Sequence, residues 1–178
     1  HTRSYSVTGD QTCALPILIR CNKPGDRELI EKAFKVANEA HWNMRRKSGE
    51  PYVIHPICVA KIVNQEIGLG PRSIATALLH DVVEDTGYSL EQVNREFGPK
   101  IASLIDGLTK ISATYNKGAT SSMQAENFRR MLLTISDDLR VILIKIADRL
   151  HNMRTLDSMP ENKKMKVAGE TIFLYAPL

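Results

Sequence analysis

The feature that most constrains the fold is an aspartate inside an otherwise apolar run. The run reads Val141-Ile142-Leu143-Ile144-Lys145-Ile146-Ala147-Asp148-Arg149-Leu150-His151-Asn152. With a helical period it is hydrophobic on nearly every face, which puts the helix at the centre of a bundle and not on its surface. Asp148 is carried inside with it. An unpaired buried carboxylate is strongly unfavourable, so a metal ion or an arginine has to stand opposite it. Asn152 lies one turn beyond Asp148 and Thr155 two turns, which places all three on one face.

A second apolar run, Ala75-Thr76-Ala77-Leu78-Leu79, leads straight into His80-Asp81-Val82-Val83-Glu84-Asp85. One helix is expected here, from Ser73 to a stop at Thr86-Gly87. On it His80 stands beside Glu84, and Asp81 beside Asp85. Three carboxylates packed so closely repel one another unless a cation sits among them. A third element is His55, which with Pro56 opens a helix after a polar loop. His55, His80, Asp81 and Asp148, drawn from three buried helices, make a mixed nitrogen and oxygen donor set. The lack of a thiolate argues against a structural zinc site, and imidazole with carboxylate suits catalytic manganese, iron or zinc. Water on such an ion loses its proton far more readily, with a pKa falling from about 15.7 to about 7 in the best case. Glu84 and Asp85 are then free to orient water or handle protons.

Elsewhere the pattern is helical throughout. Helices are expected from Arg27 to Arg46 with Asp26 as N-cap, from His55, and from Ser89 to Gly98-Pro99 with Ser89 as N-cap. Others are expected over Lys100–Ile111, over 123–135, from an Asp137-Asp138 cap to Thr155, and over Met159–Tyr175. Residues 115–122 read as a loop. No alternating strand pattern with hairpin turns appears. The expectation is an all-α bundle of about eight helices in one domain. The net charge of +4 suits an anionic small molecule but is too weak to argue for nucleic-acid binding. Cys13, Cys21 and Cys58 show no metal or disulfide spacing, and no stretch is apolar enough to span a bilayer, so a cytoplasmic location is expected. Residues 1–17 lack any period and read like translated adapter sequence. They are expected to be a non-native or disordered leader, with the domain over 18–178. The closing Phe173-Leu174-Tyr175-Ala176-Pro177-Leu178 is apolar and uncapped, as expected of a domain cut from a longer protein.

Three ordered segments carry a resemblance. They are Arg46-Lys47-Ser48-Gly49-Glu50-Pro51-Tyr52-Val53-Ile54-His55-Pro56, His80-Asp81-Val82-Val83-Glu84-Asp85-Thr86, and Lys145-Ile146-Ala147-Asp148-Arg149-Leu150-His151-Asn152-Met153-Arg154-Thr155. His55, the His80-Asp81 pair and Asp148 resemble the HD phosphohydrolase superfamily. The flanking residues resemble its branch in the long RelA/SpoT-type alarmone enzymes, over about residues 20–178. That resemblance implies an HD-domain helical bundle that uses manganese to remove the 3′-pyrophosphate of (p)ppGpp. It implies His55, His80, Asp81 and Asp148 as metal ligands and Glu84 and Asp85 as the catalytic acidic pair. Arg46, Lys47, Ser48, Asn152 and Thr155 would hold the guanine nucleotide. Synthetase and regulatory domains would follow in the full-length protein. Two other readings compete: another HD enzyme acting on deoxynucleotides or cyclic dinucleotides, and a non-catalytic nucleotide-sensing module. The basic loop and the intact Glu84-Asp85 pair favour the alarmone hydrolase. His151 is expected to support the site through a hydrogen bond and not as a ligand.

Overall fold

The computed structural model describes residues 23–115 and 138–176. The leader, residues 116–122 of the loop expected over 115–122, and the helix expected over 123–135 lie outside the described residues, as does Asp137 of the expected Asp137-Asp138 cap. Tyr115, expected in that loop, is the last residue of a helix. Among the described residues there are no β-strands, only an isolated bridge between Arg45 and Pro51. The described residues form seven α-helices of eight or more residues and one single-turn α-helix, with short π-helical and 3-10 turns between and after them.

Helix α1 (Asp26–Ala40) buries Ile30, Ala33 and Ala37, one residue per turn, against α3. Its N-cap is Gly25, not Asp26. Gly25 takes φ 88°, a left-handed value that a residue without Cβ reaches freely. The helix also ends well short of Arg46. At His41 the ring folds back, with Nδ1 2.8 Å from the Ala37 carbonyl, and the backbone leaves the helix at φ −103°, ψ 16°. The chain then doubles back in a loop. Arg46 N–H donates to Glu50 O at 2.9 Å and Tyr52 N–H to Met44 O at 3.0 Å. That loop presents Arg46, Lys47 and Ser48.

Helix α2 (Ile54–Lys61) follows and runs into a π-helical turn over Ile62–Glu66. Helix α3 (Pro71–Leu79) has proline in its first turn, where the missing N–H costs nothing. Every residue from Ser73 to Leu79 is buried, so α3 is the central rod, touching α1, α2, α6 and α7. The single helix expected to run on through Asp85 is broken. His80 and Asp81 form a turn, and only Val82–Asp85 resumes as α4.

Ser89 caps α5 (Leu90–Phe97) through a capping box with Gln92, as its sequence predicts. Gly98 then turns the chain at φ 82° into α6 (Pro99–Tyr115). Asp138 caps α7 (Leu139–Arg154) by accepting the Arg140 N–H at 3.0 Å. No residue from 141 to 153 is exposed, as the apolar run requires. The helix ends at Arg154, so Thr155 is its C-cap and not a further helical residue. The last expected helix is α8 (Glu161–Glu170), entered from Pro160 and continued by a π-helical turn over Thr171–Tyr175. Helix α7 packs on α2, α3 and α6, so the ends of three buried elements meet around Asp148.

Candidate active site

His55 on α2, His80 at the end of α3 and Asp148 on α7 are 4%, 2% and 8% exposed. Their ligand-capable atoms all lie within 4.8 Å of one another. Asp81 closes the group. Its Oδ2 is 3.1 Å from His80 Nε2 and 3.7 Å from His55 Nε2. Asp148 Oδ1 is 3.2 Å from His55 Nε2 and 3.9 Å from His80 Nε2. The break between α3 and α4 makes this convergence possible. It lets His80 stay inside the bundle while Asp81 turns back toward the same point.

The protonation of each ring follows from what its far side touches. His80 Nδ1 lies 2.8 Å from the Ala77 carbonyl, which can only accept, so Nδ1 carries the hydrogen. His55 Nδ1 faces His151 Nδ1 at 2.8 Å. His151 Nδ1 is also 3.4 Å from Arg46 Nη1, a group that can only donate. His151 Nδ1 is therefore the acceptor and His55 Nδ1 the donor. Burial, then repulsion from His55 and Arg46, pulls the His151 pKa down to about 4, so it accepts as a neutral ring.

Both Nε2 atoms of His55 and His80 thus point at carboxylates with no hydrogen required of them by their other neighbours. His80 Nε2 is buried, makes no well-formed hydrogen bond, and still lies 3.1 Å from Asp81 Oδ2. Lone pairs facing lone pairs at this range repel unless a cation stands between them. Donor atoms held by one ion on bonds of about 2.1 Å lie between about 3.0 Å and about 4.2 Å apart, depending on the angle between them, and the four spacings of 3.1, 3.2, 3.7 and 3.9 Å fall in that range. The residues fit a divalent metal ion. Without one, a proton substitutes. Burial alone would lower the His80 pKa, but Asp81 and Asp148 outweigh it and raise it to about 9. Asp81 and Asp148 are held below the usual carboxylate range: burial opposes this, but His80 for Asp81, and Lys145 with the histidines for Asp148, prevail.

Lys145, Tyr52 and Ser112 belong to the site and were not singled out from the sequence. Asp148 Oδ2 pairs with Lys145 Nζ at 3.0 Å, and Lys145 also donates to Ser112 Oγ at 3.1 Å. Burial would discharge this lysine, but Asp148, with Tyr175 and Asp81, holds its proton on firmly. The partner expected for the buried Asp148 was a metal or an arginine; a lysine three residues earlier on the same helix supplies part of the charge. A lone lysine three residues before an aspartate in an apolar run is a signal the sequence does contain. Tyr52 OH is 2.8 Å from Asp81 Oδ2 and 2.7 Å from Asp85 Oδ2. Burial first, then both carboxylates, push its pKa far above the phenol range, so it remains a donor.

The other expected residues are only partly assembled. Arg46 reaches in, with Nη2 donating to Asn152 Oδ1 at 3.1 Å, and Asn152 Nδ2 donates to Asp148 Oδ1 at 2.8 Å. Lys47 and Ser48 are exposed on the loop. The Thr155 hydroxyl donates to the His151 carbonyl at 3.0 Å and serves the helix end. Glu84 is on the exposed side of α4, yet its carboxyl is crowded enough for desolvation to raise its pKa, with Lys145 and Ser112 pulling the other way.

Residues 33–178 match the HD domain family. This chain belongs to that family. A probable guanosine-3′,5′-bis(diphosphate) 3′-pyrophosphohydrolase of Synechocystis is 50% identical to the HD domain over 150 residues, 84% of this chain and 20% of that protein. A GTP pyrophosphokinase of Myxococcus xanthus is 45% identical over 166 residues, 92% of this chain and 22% of that protein. The HD domain described here thus spans about a fifth of the length of these relatives. A solved structure described as a metazoan ortholog of SpoT that hydrolyses ppGpp superposes with a TM-score of 0.66 at 25% identity. It covers 86% of this chain and 84% of that one. The resemblance to the RelA/SpoT enzymes and the all-helical HD fold are borne out.

Proposed function

We propose that this HD domain removes the 3′-pyrophosphate of guanosine tetra- or pentaphosphate, giving GDP or GTP and pyrophosphate. The observation that carries the reading is the convergence of His55, His80, Asp81 and Asp148, with two buried Nε2 atoms aimed at carboxylates. The names of the relatives and of the structural neighbour supply the substrate class. These four residues are the metal ligands in this reading, and manganese is the ion, its preference for carboxylate oxygen matching half the donor set. A divalent ion there supplies a charge that polarises the phosphate and makes water more acidic.

The protein's own groups divide the remaining work. Glu84 and Asp85 stand on the open side of α4, placed to orient the attacking water and to take or return its proton. Arg46, Lys47 and Ser48 form one wall for the nucleotide, and Asn152 and Thr155 the other. A guanidinium can both stack on a base and bond a phosphate, which suits Arg46 to this place. The unit is taken as residues 18–178 of a cytoplasmic protein; synthetase and regulatory domains follow it in this reading, and the length of the relatives, of which the chain spans about a fifth, supports further domains.

The test is a product assay with one preparation, on ppGpp, GDP and dGTP, with Mn2+ and then with EDTA. Pyrophosphate release from ppGpp that needs the metal, with GDP and dGTP left intact, is the expected result. Faster phosphate release from dGTP than pyrophosphate release from ppGpp would overturn the assignment in favour of a general HD nucleotidase.

A further inference from the structure

Asp81 and Asp85 stand one helical turn apart at the head of α4. Two carboxylates at this spacing repel each other. Asp85 is exposed and has open water on one side, so nothing in its own helix stops it swinging away. Yet the two side chains turn toward a single atom. The Tyr52 hydroxyl is 2.8 Å from Asp81 Oδ2 and 2.7 Å from Asp85 Oδ2, so its single hydrogen is shared between two carboxylate acceptors at charge-assisted distance.

We propose that Tyr52 is a positioning residue of the hydrolytic site, whose hydroxyl ties Asp81 to Asp85 and so sets the ion-facing carboxylate and the water-facing one at a fixed separation. The proposal rests on the functional reading above for the roles of those two residues. It names a side chain that touches neither the ion nor the substrate but orients groups that do. Partners of this kind fix the geometry and basicity of metal ligands, and their loss costs about 10–100-fold in metal affinity or activity.

The phenol is itself held from several sides. Its ring stacks on His41 with centroids 4.6 Å apart and 16° between planes. His41 is 2% exposed and anchored through Nδ1 to the Ala37 carbonyl at 2.8 Å. The ring also meets His55 edge-on, at 6.1 Å and 80°. The Tyr52 backbone donates to Met44 O and accepts from His55 N, both at 3.0 Å, which fixes it one turn before a proposed ligand. Stacking on His41 and the edge contact with His55 would be served equally by phenylalanine. Only the pair of carboxylates requires the hydroxyl. The early end of α1 now has a use: by leaving the helix at His41, the chain builds the platform on which Tyr52 lies.

The experiment is Tyr52→Phe, which keeps the ring and its stack. Mn2+ binding is followed without nucleotide, from the paramagnetic resonance of the free ion. The expected result is a Kd about tenfold weaker or more, with the metal-free melting temperature within a few degrees of wild type. On ppGpp at saturating Mn2+, kcat falls while KM stays within about twofold, and in an Asp85→Asn background Tyr52→Phe has no further effect on kcat. A Mn2+ Kd within about threefold of wild type overturns the proposal whatever the activity, and a larger loss sustains it. The binding arm needs no substrate. If wild type fails to cleave ppGpp while Tyr52→Phe weakens Mn2+, the substrate assignment falls and the role of Tyr52 stands.

Discussion

Stripped of metal, the domain is expected to lose stability as the pH rises above neutrality, with His80 as the cause. His80 is 2% exposed, and burial by itself would drive its pKa down. Asp81, chiefly by its charge, and then Asp148 reverse this and lift it from the ordinary 6.5 to about 9. The folded value lies above the unfolded one. The contribution to stability is therefore complete below about pH 6.5 and disappears as the pH rises through about 9. At about 1.36 kcal/mol for each pH unit of that gap, the contribution is on the order of 3 kcal/mol. Lys145 and Tyr52 keep their protons beyond this window, so neither blurs it. The assay is urea unfolding in EDTA at about pH 6, 7.5 and 9.5, for wild type and His80→Gln; the variant should lack most of the decline. Adding Mn2+ replaces the proton on Nε2, so its affinity should rise by up to about tenfold per pH unit across the same window. Wild-type stability in EDTA that stays flat from about pH 6.5 to 9.5 would show that His80 is neutral there and refute the reasoning.

Glu84→Gln keeps the shape of α4 and the metal cluster but removes a carboxylate suited to handling a proton, and kcat on ppGpp should fall by about 100-fold or more with Mn2+ content unchanged. Arg46→Ala removes the contacts to Asn152 and His151 as well as the proposed nucleotide contact, so KM should rise more than kcat falls; steady-state kinetics on ppGpp would expose the opposite split. Gly107→Ala on α6 would bring a Cβ within 3.0 and 3.2 Å of the two Val141 methyl carbons on α7. A β-branched side chain in a helix has little freedom to turn away. Overpacking of about 1–3 kcal/mol should outweigh the helix-propensity gain of about 1 kcal/mol, and a rise in chemical stability would contradict this.

The candidate site was legible to the extent that chemistry leaves a local mark. Asp148 announces itself as a charge in an apolar run, His80-Asp81 as a polar pair at the end of one, and His55 as a ring beside a proline at a helix start. These marks persist because burying a charge is so costly that the surrounding residues must be of a particular kind. Lys145 carries the same mark, but a lysine can reach solvent along its stem, so only the folded helix shows its ammonium turned to Asp148. Tyr52 carried none. Its importance comes from the distance between its hydroxyl and two residues about thirty positions away. Two of the misplaced helix ends share a cause. Apolar periodicity continues from α1 toward Arg46 and from α3 to Asp85, but His41 leaves the first helix to stack on Tyr52, and the turn at His80-Asp81 breaks the second.

The sequence by itself determined that the chain is helical, that α3 and α7 lie at the centre, and that histidine and carboxylate go inside with them. Those outcomes follow from periodicity and from the free energy of removing apolar surface from water, both of which act within one segment. The tertiary structure alone decided which ring nitrogens face the carboxylates, that Arg46 reaches His151 and Asn152 across the chain, and that one phenol joins Asp81 to Asp85. A hydrogen bond depends on a few tenths of an ångström and a few tens of degrees. That precision arises only when separate helices have packed, because interlocking side chains leave each helix few ways to sit against its neighbours.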